Sequence, residues 1–402
     1  MKSTVGKALS ERNLLLLLAV VQFTQIMDFM VMMPLGPQLM RQLVISPQQF
    51  GSLISSFALT AGIVGLASAP FIDRFDRRHL LLFVYAGFTI GTLACGLSKT
   101  WEMLLISRSV CGAFGGVSGA TIMAIVSDVV PSERRARGMG IIMTAFSMAA
   151  ALGVPFGLKL AQMLRWEAPF LAVAVIAAVV WALLFRILPP VRSHLDDGQV
   201  RSTRDFLLLL KDKNAWKGLA LMMALVFGHF TIIPFLSPFL VRNVGMAEKE
   251  LFLVYMVGGM VTVFTGPLVG RLADKHGKFF MYSILVAGAS IVIRTLTSSG
   301  PRPEWQVLVL AGFFFMLASA RFIPSQATIS MAVPPARRGA YMSLVACSRD
   351  LASGLTTGLG SMVVVEGTNG KLLHYDQLGL LAIGVSIASL WVFRQVKSAE
   401  AG

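Results

Sequence analysis

Two short stretches decide how this chain is read: Ala69-Pro70-Phe71-Ile72-Asp73-Arg74-Phe75-Asp76-Arg77-Arg78 and Gly270-Arg271-Leu272-Ala273-Asp274-Lys275-His276-Gly277-Lys278. They lie 201 positions apart, half the length of the 402-residue chain, and Asp73 then falls on Asp274 and Arg77 on Lys278. At the same offset Gly138 falls on Gly339, each after a Pro- and Arg-rich turn, and Gly153 and Gly157 fall on Gly354 and Gly358. Asp28 falls on His229 and Pro37 on Pro238. Several matches at one ungapped offset mark an internal repeat.

The sequence around these stretches is too apolar for a soluble core. Hydrophobic residues make up 55% and charged residues 14%, against about a quarter charged in soluble domains, and the mean hydropathy is +0.73. A bilayer crossing takes roughly 20 mostly apolar residues. Twelve such runs are predicted, over 14–38, 49–72, 80–98, 102–130, 138–164, 167–188, 217–240, 251–271, 279–297, 305–332, 340–365 and 376–396. The expected architecture is an all-α membrane protein of two pseudo-symmetric six-helix bundles, residues 1–188 and 217–402, joined by a polar linker over 189–216. Lys2, Lys7 and Arg12 ahead of Leu14–Val21 imitate a signal peptide. The apolar run continues past Asp28 with no small-residue cleavage site, so a first helix is expected rather than a removed leader.

The formal net charge of +15 does not point to nucleic acid. With the N-terminus placed in the cytoplasm, most Lys and Arg fall in cytoplasmic segments, the positive-inside bias that sets topology. Both termini are expected in the cytoplasm, and the protein in a bacterial inner membrane. Cys95, Cys111 and Cys347 sit inside apolar runs at spacings that suit neither zinc nor redox chemistry. No metal and no cofactor is expected. No HExxH, nucleophile elbow or P-loop appears, so an enzyme has no support in the sequence. Without an appended soluble domain, a sensor or scaffold has little more.

The two loops resemble the signature G-x-x-x-D-[RK]-x-G-[RK]-[RK] of the major facilitator superfamily. The second copy keeps both glycines; the first has Ala69 and Asp76 in their place. Arg108-x-x-x-Gly112, Asp28 ahead of Pro34-Leu35-Gly36-Pro37, and Gly153-Val154-Pro155-Phe156-Gly157 resemble the drug and sugar efflux branch. In the last segment Val154 separates Gly from Pro, a pattern similar to arabinose-efflux permeases. The resemblance implies alternating access with proton-coupled export of a small solute (drug, sugar or metabolite). Uptake of a small neutral or anionic solute on the same fold is the alternative. Small-molecule substrate, protons and lipid are the partners it implies, and a monomer should suffice.

Chemistry gives these positions expected roles. Asp73, Arg74, Arg77, Asp274 and Lys278 can bond helix ends and form a conformational latch, with Asp128 as the partner that the resemblance implies for Arg77; the alternative is that the basic residues only enforce topology. Arg108, Gly112, Gly115 and Gly119 share one helical face, where small residues allow close packing. Pro155, between Gly153 and Gly157, lacks an N–H and should bend its helix. Charged groups within the bilayer are functional candidates by default: Asp28, Arg108, Arg321, Arg349 and Asp350, with His229 as a titratable partner. Rise per residue places Asp28 about 21 Å from the cytoplasmic start of its span and Arg108 about 10 Å from the outer start of its own, which is a similar depth. Asp28 is the expected proton carrier, against a fixed ion pair. Gln22 and Gln25 share its arc and could line the same cavity. Arg349 and Asp350, about 100° apart on a helix, are expected to face different surroundings, one of them the cavity. Three Arg against two Asp within the spans favours neutral or anionic solutes.

Overall fold

The computed structural model describes residues 11–72, 74–192, 209 and 211–399. Within them the chain is helical almost throughout. The first half contains α1 (Glu11–Val31), α2 (Gly36–Gln42), α3 (Pro47–Ile72), α4 (Arg77–Leu97), α5 (Trp101–Val129), α6 (Ser132–Met148), α7 (Val154–Met163) and α8 (Ala168–Ile187). The second contains α9 (Lys213–Phe230), α10 (Ile233–Phe239), α11 (Leu251–His276), α12 (Lys278–Thr297), α13 (Glu304–Ala320), α14 (Phe322–Ser330), α15 (Arg338–Val363) and α16 (Tyr375–Gln395).

Proline makes several of these elements halves of one membrane span. Pro37, Pro155 and Pro234 stand in the first turns of α2, α7 and α10, where a missing N–H costs nothing. Each follows a break in the column, so α1–α2, α6–α7, α9–α10 and α13–α14 each cross once. Between α6 and α7 the break is a π-helical turn, Ala149–Gly153, which ends two residues before Pro155, near the bend that proline implies. Side chains close other helix starts: Asp76 accepts from Arg78 N–H, Thr100 from Met103 N–H, and Asp212 from the N–H groups of Asn214 and Ala215.

Eleven helical columns among the described residues are long and apolar enough to cross a membrane. The twelfth is α15, whose 26 residues suffice in length but carry Ser343, Arg349, Asp350, Ser353, Thr356, Thr357 and Ser361. Its polarity follows from its position. It packs along α3 across the two halves, where Ser353, Thr356, Thr357 and Ser361 are buried. The outer surface is apolar instead, with Phe83, Ile106, Val175, Ile291 and Trp391 exposed, as lipid contact requires.

The two halves meet at the end opposite the two signature loops. There Arg41 donates to both carboxylate oxygens of Glu248, at 2.6 and 3.2 Å. Gln162 Nε2 donates to the Glu248 carbonyl (2.9 Å), and Gln48 Nε2 to the Val364 carbonyl (2.9 Å). Gly36 lies against Pro238, the repeat equivalent of its neighbour Pro37. At mid-depth Ser55 Oγ donates to the Gly354 carbonyl (2.7 Å).

Candidate functional site

Arg108 of α5 and Asp28 of α1 form the most buried polar contact in the first half. Arg108 Nη1 donates to Asp28 Oδ2 at 2.6 Å and to the Asp28 carbonyl at 3.2 Å. Both side chains are 0% exposed. The Phe57 ring lies 4.5 Å from the guanidinium carbon, a cation–π contact that spreads the charge. Among the described residues Asp28 Oδ1 and Arg108 Nε and Nη2 have no hydrogen-bond partner. A pair desolvated this far gains little over apolar packing, but removing one partner strands the other charge at a cost of about 3–5 kcal/mol.

Packing explains how α5 brings Arg108 there. A Cβ on Gly112 would fall on the Phe57 carbonyl, and one on Gly116 on the Ala61 carbonyl. The close-packing face is therefore Gly112 and Gly116, four residues apart, rather than Gly112, Gly115 and Gly119. Gly115 and Gly119 have ordinary room for a side-chain atom. Gln25 is buried and donates to Ser118 Oγ at 2.6 Å, so it is held within the α1–α5 seam, not on a cavity wall. Half-buried Gln22 leaves Oε1 without a partner. In α7, Gly157 admits Val31 of α1.

The second half has a different chemistry. Arg321 stands at the break between α13 and α14 and is 1% exposed. Its Nη1 donates to Ser386 Oγ (2.8 Å) and its Nε to the Ala318 carbonyl (3.3 Å); Nη2 has no partner. Among the described residues no carboxylate pairs with it. His229, near the end of α9, stacks on Phe314 at 6.1 Å with Phe322 edge-on at 5.6 Å, and its Nδ1 is likewise unpartnered.

Arg349 and Asp350 do not part to different surroundings. Arg349 Nε donates to Asp350 Oδ1 at 3.0 Å, Nη2 lies at the same distance from that oxygen in an ion pair, and the two side chains are 51% and 27% exposed. The long arginine side chain folds back over its neighbour, so a 100° difference between their Cα directions does not separate the charged ends.

Of the expected latch, Asp73 lies outside the described residues. Arg77 is buried: its Nε donates to Asp128 Oδ2 (3.2 Å), its Nη1 to the Ile72 carbonyl (3.0 Å), and its backbone N–H to the Val191 carbonyl (3.3 Å). Arg74 is exposed over Phe71. Asp274 is exposed, while Lys278 Nζ reaches Met331 Sδ at 3.5 Å. The residue that sequence reasoning passed over is Asp76. Besides capping α4, it accepts from Arg192 Nε (2.7 Å) and Val191 N–H (3.3 Å), which fastens the start of the segment after α8 to this loop. Burial alone would raise its carboxyl's pKa, but the bonds from Arg192, Arg78 and Val191 outweigh burial and hold it below the usual carboxylate value. The signal was available, because a carboxylate stands where the other copy has glycine. Arg41 and Glu248 carried no comparable signal.

Two pseudo-symmetric six-helix halves with charged side chains buried between helices define a membrane transporter rather than an enzyme. The sequence matches the model of the Major Facilitator Superfamily over residues 18–398, and the chain belongs to that family. It is similar to the MFS-type transporter YceJ of Bacillus subtilis (strain 168), 25% identical over 322 residues that cover 79% of this chain and 80% of that one. It is also similar to a protein of Helicobacter pylori (strain G27) named as a probable sugar efflux transporter, 25% identical over 338 residues, 83% of this chain and 81% of the relative. Its fold is that of a crystallised D-xylose–proton symporter (TM-score 0.76, 18% identity, 98% of this chain and 100% of that chain). A bacterial homologue of the lysosomal transporter Spinster, solved inward-facing and occupied, is similarly close (TM-score 0.73, 15% identity, 95% and 96%).

Proposed function

We propose that this protein exports a small neutral or anionic solute, of the sugar class, in exchange for protons. The observation that carries the reading is the Asp28–Arg108 pair, sealed between α1 and α5 with one carboxylate oxygen unpartnered. Protonation of Asp28 removes half of that pair and leaves Arg108 to find other acceptors. The two protonation states then favour different packings of α1 against α5, and a bound proton shifts the balance between conformations only through such a difference. The relatives named for sugar efflux support the solute class and the direction.

Residues 1–188 and 217–402 act as two bodies that rock about the site, with the linker and both termini on the cytoplasmic face of a bacterial inner membrane. The Arg41–Glu248, Gln162–Glu248 and Gln48–Val364 contacts hold the outer ends together, so this conformation faces inward. Asp274 and Lys278, with Asp73 and Arg74, form the inner latch of the opposite state. The protein works as a monomer.

Reconstitution into proteoliposomes with an imposed pH gradient tests this. Efflux from inside-in vesicles of a radiolabelled neutral sugar should rise with external acid and collapse with a protonophore. Accumulation that instead follows the proton inward would make the protein an uptake carrier. Flux indifferent to the gradient would end proton coupling altogether.

A further inference from the structure

A line of direct aromatic contacts runs from the buried ion pair to the seam between the two halves. Asp28 holds the Arg108 guanidinium at 2.6 Å, and that guanidinium lies over the Phe57 ring of α3 at 4.5 Å. Phe57 meets Phe29 of α1 at 5.1 Å between ring centroids, and Phe29 meets Phe230 of α9 at 5.9 Å. The last contact crosses from one half to the other. Phe29 and Phe230 stand 201 positions apart, so each is the other's equivalent in the repeat. Both sit where a broken span first stops: α1 ends at Val31 and α9 at Phe230. Further out along the same seam come Gly36 against Pro238 and Arg41 against Glu248. Phe57 is the shared ring of the line, 8% exposed, with its carbonyl seated against Gly112. Its repeat equivalent is Gly258, so the second half has no ring at that place, and the line is one-sided. Around the pair, α4 brings the Cys95 thiol and the Thr92 hydroxyl and α5 the Cys111 thiol; no further charged group is set against it among the described residues.

We propose that Phe57 and Phe29 are positioning residues that carry the state of the Asp28–Arg108 pair to Phe230, so that the ionised pair and the closed outer seam stabilise each other. The two-state element is the guanidinium, clasped by an anion or released from it. While Asp28 is ionised, Arg108 is fixed over the Phe57 ring, whose face attracts the cation. Once Asp28 loses its charge, Arg108 turns to other acceptors and the ring loses the group that fixed it. Close-packed side chains pass such a displacement on rather than absorb it, and the next ring in contact is Phe29, then Phe230. Linkage makes the effect reciprocal: parting Phe29 from Phe230 loosens the hold of Arg108 on Asp28. The proton in this account rests on the export reading. The coupling between pair and seam does not, because Asp28→Asn removes the charge with no proton involved.

The test is a double-mutant cycle on the full-length protein in lipid at one fixed pH, read by spin labels on α2 and at the start of α11. Phe57→Leu alone should raise the population with separated outer ends about threefold or more, and Asp28→Asn alone should do the same. With Asp28→Asn already present, Phe57→Leu should add less than about 1.5-fold, because no anion then fixes Arg108 over the ring. Phe57→Tyr keeps the ring and should match wild type. Phe83→Leu, a lipid-facing ring on α4, should leave the population unchanged. Phe29→Leu breaks the same line one ring further on and serves in the cycle if Phe57→Leu does not fold. Effects of the ring and Asp28 substitutions that simply multiply would overturn the proposal, as would a population that neither ring substitution moves. Proton-driven flux of the wild type is measured beside the cycle. Flux indifferent to the gradient would end the export reading and leave the coupling standing, whereas a multiplicative cycle beside intact proton-driven flux would remove the aromatic line alone.

Discussion

The two halves share helix order and the break in the first span of each, but not the position of their second break or their buried charges. In the first, α1 and α5 neutralise each other through Asp28 and Arg108; in the second, α9 offers His229, and Arg321 has, among the described residues, only Ser386 and a backbone carbonyl as acceptors. The signature loops differ in the same way. Gly277 makes its turn with φ of +94°, open to glycine and strained for other residues. Asp76 at the matching place keeps φ at −55° and replaces conformational freedom with bonds to Arg78, Val191 and Arg192. The repeat supplies the frame, and each half fits its own polar chemistry into it.

Breaking the first-half pair should have the largest effect. Asp28→Asn leaves Arg108 without its anion, so it should abolish proton-driven flux in proteoliposomes and lower stability by up to about 3–5 kcal/mol, seen as reduced melting temperature. Retained pH-dependent transport would remove Asp28 from the mechanism. Next comes the seam that positions Arg108. Gly112→Ala should cost about 1–3 kcal/mol by overpacking against the Phe57 carbonyl, whereas Gly115→Ala should be nearly silent in the same melting assay. Equal losses would mean the two glycines are not distinguished by α3.

The loop comparison gives a smaller, pH-dependent effect. Asp76→Asn should cost about 1 kcal/mol, from a weakened cap and a lost ion pair. Because the folded carboxyl is held below its ordinary value, its contribution is fully present above about pH 4 and fades as pH falls through the lower folded value. The melting difference between wild type and Asp76→Asn should therefore be flat near neutrality and shrink in acid. Gly277→Ala should cost about 1 kcal/mol at every pH, by backbone strain alone. The smallest effect is expected where the halves touch. Glu248→Gln weakens an exposed bridge worth about 0–1 kcal/mol. It should nonetheless shift spin-label distances between α2 and the start of α11 toward separation.

Much of the frame is legible because apolar length is a one-dimensional property. Runs such as 167–188 and 279–297 coincide with α8 and α12 to within a few residues. Interruptions are less legible. Pro155 announced a bend, but not the π-helical turn just before it, and the break at Thr231 and Ile232 lies inside an unbroken apolar run. The candidate site was legible as a set of intramembrane charges, but its pairings were not. Asp28 and Arg108 stand 80 positions apart, so only the packing of α5 against α1 joins them, while Arg349 and Asp350 were adjacent and still misjudged. A helical wheel gives the direction of Cα–Cβ, and a long side chain can fold across that direction.

The amino-acid sequence alone determined that this chain crosses a membrane many times as two related halves, because apolar runs and an ungapped repeat need no knowledge of neighbours. Tertiary structure alone decided which charges neutralise one another, which glycines admit another helix, and which end of the molecule is closed. Those depend on distances of a few ångströms between segments far apart in the chain, and a linear pattern does not encode such distances.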